Sequence, residues 1–362
     1  MLTPKRIGEA FPFRNRPLRR NLAPLLSLMS LLFVLTFAAC NNIGSSTTAA
    51  PAEFRIGYLS IPNAQLIAKS LDLVEDQFPD VRVKWVPFTA GWRVLDAIAK
   101  DNIDVGLAGS VPASTAIAQG LPVQVYFIHN IIGDNEALAV TQASGIQSIN
   151  DLVNKSIGVP FGSTTHFSLL SALSDSGIEA SQVNILNMQP AEILSAWKRG
   201  TIDGGFIWQP ILSRLIAEKG KNILTAKQLA EKGIVTADLG VVSQAFAKDY
   251  PNFLADYVRL LNQAVQFYQE DPEAVAEVVA PEIGLSQQDS LDAMSGLIWL
   301  DAAEQLSERY LGSPNQPGAI SEVLKASADF MATQDAIPPA PDLKTFQQGL
   351  FSWAVEQATE AS

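Results

Sequence analysis

The chain runs to 362 residues, 48% hydrophobic and 17% charged, which is enough for two domains with a core in each and too apolar for global disorder. Asp and Glu number 37 against 25 Lys and Arg, and the formal charge of −12 argues against a nucleic-acid backbone as the main partner. One cysteine excludes an internal disulfide or a cysteine-rich metal centre, and His129 and His166 are the only histidines, so neither a metal nor a cofactor is expected.

Lys5, Arg6, Arg14, Arg16, Arg19 and Arg20 precede an uncharged stretch from Leu22 to Ala39, with Glu9 the one opposing charge. A basic segment followed by an 18-residue apolar run interrupted by Pro24 reads as a secretory signal, residues 1–39, rather than a stable membrane span. Phe37-Ala38-Ala39-Cys40 resembles the bacterial lipobox, in which cleavage precedes the cysteine and its thiol carries diacylglycerol. Residues 40–52, rich in Asn, Ser, Thr and Ala, then form a tether held to the membrane at Cys40. A plain signal peptide or single anchor helix with an incidental cysteine is the alternative. Without residues 1–39 the chain keeps 19 basic and 36 acidic side chains, a charge of −17.

From Phe54 onward, short β-branched runs alternate with amphipathic stretches, the pattern of an α/β fold with mainly parallel strands. Strands are predicted at Phe54–Leu59, Val81–Pro87 and Val105–Ala108, with helices at Ala64–Leu71, Trp92–Lys100 and Pro112–Gln119. The same order recurs: Ile56-Gly57-Tyr58 corresponds to Ile157-Gly158-Val159. Leu95, Ala97, Ile103, Asp104 and Gly106 match Leu194, Ala196, Ile202, Asp203 and Gly205 at a constant offset of 99. Two similar lobes follow, lobe I at 53–141 and 243–362 and lobe II at 142–242. The strand-like runs Leu138–Thr141 and Leu239–Val242 carry the chain across, and two crossings imply a hinge and a cleft. After Phe246 the pattern turns helical, over Tyr250–Glu270, Pro272–Val279, Ser286–Met294, Ile320–Thr333 and Asp342–Glu356, and these helices are expected to pack on lobe I.

Ligands in such lobes sit beyond the carboxyl ends of the strands, where loops lead into helix starts with unpaired N–H groups. Lobe I offers Ser60-Ile61-Pro62-Asn63 and Gly109-Ser110; lobe II offers Gly162-Ser163-Thr164-Thr165-His166. Hydroxyls and helix N-termini facing each other across a cleft bind a small anion without Lys or Arg, so the acidic body is no objection. Ordinary capping explains Ser110, Ser163 and Thr164 equally well. Trp208 either closes over the apolar middle of a ligand or belongs to the core. Glu136 and Asp238, each just ahead of a crossing strand, either meet a ligand ammonium or are solvated loop carboxylates. His166 is either a ligand contact or a packed helix-start residue, whereas Asp104 and Asp203, at the opposite strand ends, are structural. No nucleophile elbow, Walker A loop or dinucleotide glycine motif is present, so binding without reaction is favoured.

Several segments carry a family resemblance: Glu136-Ala137-Leu138, the run Val159-Pro160-Phe161-Gly162-Ser163-Thr164-Thr165-His166-Phe167, Leu186-Asn187-Met188-Gln189-Pro190, and Ala196-Trp197 through Trp208-Gln209-Pro210. From about Phe54 to Glu356 the chain resembles the periplasmic binding proteins of ABC importers for nitrate, sulfonates and taurine, with the Ser-Thr-Thr-His run pointing to the taurine subgroup. The resemblance implies a two-lobed type II periplasmic-binding-protein fold that closes on taurine or a related sulfonate and presents it to a membrane permease with its ATPase subunit. It implies that Ser110, Ser163, Thr164 and Thr165 face the sulfonate, that Asp238 and Glu136 face the amine, and that Trp208 lies along the carbon chain. Asn63 and His166 complete the candidate set. The expected protein is an exported, lipid-anchored monomer, periplasmic or on the outer face of the cell membrane, with no nucleic-acid partner. Receptors for nitrate, another alkanesulfonate or a pyrimidine precursor share the fold and stay open as alternatives. An enzyme on this scaffold would need a cleft thiol or a histidine cluster, but Cys40 lies in the export segment and His129 is remote from the helix-start loops.

Overall fold

The computed structural model describes residues 50–334 and 337–360, so the export segment and Cys40 lie outside the described residues. The chain opens with β1 (Glu53–Leu59), α1 (Ala64–Ser70), α2 (Leu73–Gln77), β2 (Arg82–Phe88), α3 (Gly91–Ala99), β3 (Val105–Gly109), α4 (Ser110–Ala118) and β4 (Val123–Ile132). It continues with β5 (Glu136–Thr141), β6 (Ser156–Val159), α5 (Thr164–Asp175), β7 (Asn184–Asn187), α6 (Pro190–Lys198), β8 (Gly204–Trp208), α7 (Ile211–Ala217), β9 (Gly220–Thr225) and α8 (Ala226–Ala230). The return brings β10 (Ala237–Ser243), α9 (Gln244–Asp249), α10 (Pro251–Glu270), α11 (Pro272–Ile283), α12 (Gln287–Ser295) and β11 (Leu297–Ile298). The last helices are α13 (Ala302–Gln305), α14 (Ile320–Thr333), α15 (Leu343–Gln348) and α16 (Trp353–Glu360).

Besides a two-stranded ribbon pairing Gly312–Ser313 with Gln316–Pro317, two large sheets result, a six-stranded one in the order β11-β4-β10-β3-β1-β2 and a five-stranded one in the order β7-β6-β8-β5-β9. In each, three parallel strands are followed by one antiparallel strand, β10 beside β3 and β5 beside β8. The sequence repeat is visible as register. Gly57 pairs with Gly106 between β1 and β3, and Gly158 pairs with Gly205 between β6 and β8. The glycines at 106 and 205 are needed because a helix presses on each strand there: an added Cβ at Gly106 would lie 2.4 Å from Val94, and one at Gly205 would lie 2.9 Å from Ile193. Asp104 and Asp203 also play one part twice, accepting the backbone N–H of Arg55 at 2.7 Å and of Ser156 at 2.9 Å.

Three expectations need correction. The crossing strands belong to the opposite sheets: β5 hydrogen-bonds into the five-stranded sheet and β10 into the six-stranded one, so the chain crosses at 133–135 and 231–236, before those strands rather than after them. Each edge of the parallel trio offers a free ladder, and a strand arriving from the other lobe completes it antiparallel. The ten-residue β4 was not anticipated, because a run buried at nearly every position lacks the period of two by which a half-exposed strand is recognised. The helix expected over Asp342–Glu356 is broken into α15 and α16. At the break Val125 N–H donates to Gly349 O at 2.8 Å and Phe351 N–H donates to Val125 O at 2.7 Å, so tertiary pairing with β4 replaces helical bonds.

The C-terminal helices share the core of the first sheet. Phe54 on β1 has ring centroids 5.4 Å from Phe246, 5.0 Å from Phe253 and 5.0 Å from Tyr257. The five-stranded sheet has an apolar cluster on each face, one around Leu138, Ile157 and Phe206, the other around Ala139, Ile193 and Ile207. No helix among the described residues is long and apolar enough to cross a membrane.

Candidate ligand-binding cleft

The antiparallel crossing strands set the chemistry of the cleft. A strand that runs opposite to its parallel neighbours begins where they end, so the first residues of β5 and β10 meet the last residues of β8 and β3. Glu136 is paired with Trp208, and Asp238 with Gly109. Both carboxylates are thereby brought to the strand ends at which the helix-start loops open, the position expected for ligands in open α/β sheets.

Glu136, Ser163, Thr164, Trp208 and Asp238 line one cavity of about 430 Å³, solvent-open space included, together with Leu59, Ile61, Gly91, Gly109, Pro112 and Asn135. No Lys or Arg is among them. The two lobes touch here: a Cβ added at Gly109 of β3 would lie 2.8 Å from the Thr164 methyl of α5, so only glycine allows this approach.

Glu136 is 4% exposed, and its Oε1 accepts the Thr164 hydroxyl proton at 2.6 Å while its Oε2 has no hydrogen-bond partner. Burial raises the Glu136 carboxyl to about 8; the Thr164 bond opposes this and the charge of Asp238 adds to it. Asp238 is 6% exposed and burial raises it to about 7, with the neighbouring Asn130 amide opposing. Two carboxylates held reluctant to ionise, one with a bare oxygen, make a receptor for a cationic group.

The anion-facing side is the start of α5. Gly162, at φ +74°, turns the chain into it. The Ser163 hydroxyl accepts the His166 N–H at 3.2 Å and donates to Pro160 O at 2.6 Å. Thr165 does not line the cavity, and its hydroxyl lies 2.8 Å from that of Ser163. His166 also lies outside the cavity lining: its Nδ1 accepts the Gly162 N–H at 3.2 Å, its ring stacks on Phe161 at 4.3 Å, and burial lowers its pKa to about 4. Ser110, fully buried, accepts the Ala237 N–H at 3.2 Å. Asn63 caps α1, accepting from Leu66 N–H at 2.9 Å and donating to Ile61 O at 2.7 Å. The structure thus gathers five of the nine candidates at the cavity and leaves Asn63, Ser110, Thr165 and His166 outside its lining.

Sequence reasoning missed Asn135, Gly91 and Asn130. Asn135 precedes Glu136 at the crossing and accepts the Gln209 N–H on its backbone carbonyl at 3.1 Å. Asn130 is fully buried and faces Asp238 in register. A polar pair within the apolar run Phe127–Ile132 of β4, His129-Asn130, was the available signal. Among the described residues no group of three or more His, Cys, Asp or Glu side chains is placed to hold a metal ion.

Residues 79–275 match the NMT1/THI5-like family. The chain is 32% identical over 263 residues to the taurine-binding periplasmic protein of Escherichia coli K12, covering 71% of this chain and 79% of that protein. It is 30% identical over 199 residues to a putative aliphatic sulfonates-binding protein of the same organism, covering 55% and 60% respectively. The fold superposes on the alkanesulfonate-binding protein SsuA of Xanthomonas axonopodis pv. citri, in its complex with MOPS, with a TM-score of 0.69 at 24% identity, over 84% of this chain and 99% of that one. Matched over 79–275, a range that takes in strands of both large sheets, the chain belongs to the NMT1/THI5-like family, alongside the taurine-binding and aliphatic-sulfonate-binding periplasmic proteins.

Proposed function

We propose that this protein is the substrate-binding component of an ABC importer and captures taurine, or a closely related aminoalkanesulfonate, between its lobes for delivery to a membrane permease. One observation carries the reading: a cavity without Lys or Arg joins a helix start bearing Ser163 and Thr164 to two buried carboxylates, Glu136 and Asp238. The helix N-terminus and the Thr164 hydroxyl suit an oxyanion, the carboxylates suit an ammonium, and Trp208 with Leu59 and Ile61 suits a short carbon chain between them. The names of the relatives support the same class of ligand. Amine-free anions such as nitrate or ethanesulfonate leave Glu136 and Asp238 facing nothing of opposite charge.

The protein acts by binding rather than reaction. His166 is held against Phe161 and His129 is buried in β4, so neither histidine lines the cleft. Export to the outer face of the membrane, anchoring through Cys40 and action as a monomer complete the reading, supported by the basic and apolar N-terminal segment that ends at Ala39-Cys40. Mass spectrometry of the mature N-terminus tests the anchor: a chain retaining residues before Cys40 removes it. The ligand is tested by calorimetric titration with taurine, ethanesulfonate, nitrate and sulfate. Taurine is expected to bind tightest, and binding of nitrate or sulfate with no binding of any sulfonate would overturn the assignment.

A further inference from the structure

Among the hydroxyls of the cleft, Thr164 stands apart in what holds its proton. Ser163 Oγ donates to the carbonyl of Pro160 at 2.6 Å, a fixed backbone partner that no ligand replaces. Thr164 Oγ1 donates at 2.6 Å to Glu136 Oε1, a group of the cavity itself. The Thr164 methyl rests against Gly109 of the other lobe, so the oxygen position is set by packing while the O–H bond remains free to turn about its C–O axis. A hydroxyl carries a single proton and donates to one acceptor at a time.

We infer that Thr164 is a specificity-determining residue that couples the two ends of the cleft, releasing its proton to the ligand oxyanion only when the ligand brings a cation to Glu136. The inference rests on the ligand reading given above. An amine-free sulfonate faces a choice between two losses. Either Thr164 stays with Glu136 and the sulfonate lacks that donor, or Thr164 turns to the sulfonate and Glu136, 4% exposed with Oε2 already unpartnered, is left without any bond. A buried acceptor stripped of its partner costs as much as the new bond gains. A zwitterion avoids the choice, because its ammonium takes over Glu136 and the hydroxyl swings to the sulfonate. The amine therefore contributes twice, by its own contact and through the donor it frees.

The test is calorimetric titration of wild type and of the Thr164→Val, Thr164→Ala and Thr164→Ser variants with taurine and with ethanesulfonate. Removing the hydroxyl takes a charge-assisted bond from taurine alone, so Thr164→Val and Thr164→Ala are expected to weaken taurine about tenfold or more, with ethanesulfonate changing less than about threefold. The preference for taurine then contracts, and Thr164→Ser restores it. Ala also removes the methyl that touches Gly109, so it stays informative if Val fails to fold. Equal fold losses for both ligands in the variants would overturn the coupling and leave Thr164 a plain anion contact or structural cap. Wild type that binds neither sulfonate would overturn the coupling together with the ligand reading, whereas taurine binding with equal losses overturns the coupling alone.

Discussion

Replacing Glu136 by Gln keeps the size of the side chain and removes its proton chemistry, which isolates what this carboxylate costs the fold. In the folded chain burial raises it from 4.5 to about 8, so between those values the folded state holds a proton that the unfolded state has released. Folded protein binding more protons means that stability falls as pH rises through this window, with the loss complete above about 8. At about 1.4 kcal/mol per unit, the difference accumulated by wild type between pH 5 and pH 9 is about 4 kcal/mol. Asp238, raised to about 7, loses stability in the same direction in both proteins, so the comparison reads Glu136 together with its coupling to the Asp238 charge. Urea titrations of ligand-free wild type and Glu136→Gln at pH 5 and pH 9 measure this directly. The expected result is a Gln variant whose stability changes with pH less than that of wild type by about 4 kcal/mol, a gain at high pH bought by lost taurine affinity. Parallel pH profiles would refute the reasoning, because they would mean that Glu136 ionises in the fold as freely as in the unfolded chain.

Taurine affinity is expected to rise from pH 6 to pH 8, as protons leave Glu136 and Asp238 in favour of the ammonium, whereas ethanesulfonate affinity stays flat or falls. Calorimetry in two buffers of different ionisation enthalpy should show net proton release with taurine only, and identical heats in both buffers would count against the carboxylates as the amine site. Gly109→Ala places a Cβ 2.8 Å from the Thr164 methyl, so it is expected to hold the lobes apart. Small-angle scattering of that variant with saturating ligand should give a larger radius of gyration than liganded wild type, with affinity for every ligand reduced and the melting temperature nearly unchanged.

Much of the architecture was legible because the repeat was. The offset of 99 that aligns Ile103, Asp104 and Gly106 with Ile202, Asp203 and Gly205 reappears as matched strand pairing and matched helix contacts, since the same small residue is required wherever a helix lies that close to a strand. The cavity residues Glu136, Ser163, Thr164, Trp208 and Asp238 were legible for a related reason: each stands at a strand end or helix start, and those positions can be read from local pattern. Asn130 and the membership of the crossing strands were not, because both depend on which ladder an incoming strand joins. That is decided by tertiary pairing, and residues 133–135 and 231–236 look like any short connection. Asn63 and Ser110 illustrate the opposite limit, where the right residue type at the right position spends its polar atoms on the backbone.

The two lobes share a plan, yet the cleft they form is asymmetric, and the asymmetry bears on how a ligand lies in it. The helix after the first strand of each lobe begins with a capping side chain, Asn63 before α1 and Ser163 before α5. The residue that follows is Ala64 in one lobe and Thr164 in the other, so only the second helix start carries a hydroxyl beyond its cap. α1 is also short, seven residues against twelve for α5, and both ends of the Asn63 amide are committed within its own turn. The first lobe consequently presents Leu59 and Ile61 to the cavity where the second presents Ser163 and Thr164. The carboxylates, by contrast, are duplicated, because each lobe receives a crossing strand that starts beside the end of a parallel one. For the zwitterionic ligand proposed above, this asymmetry predicts one direction of binding, with the oxyanion on the start of α5, the carbons against the wall of the first lobe and the cation between Glu136 and Asp238. An anion without a cation leaves the contact to the carboxylates unmade and the Thr164 hydroxyl committed to Glu136, which is why selectivity in this cleft is expected to reside in the crossing strands acting through Thr164 at the start of α5.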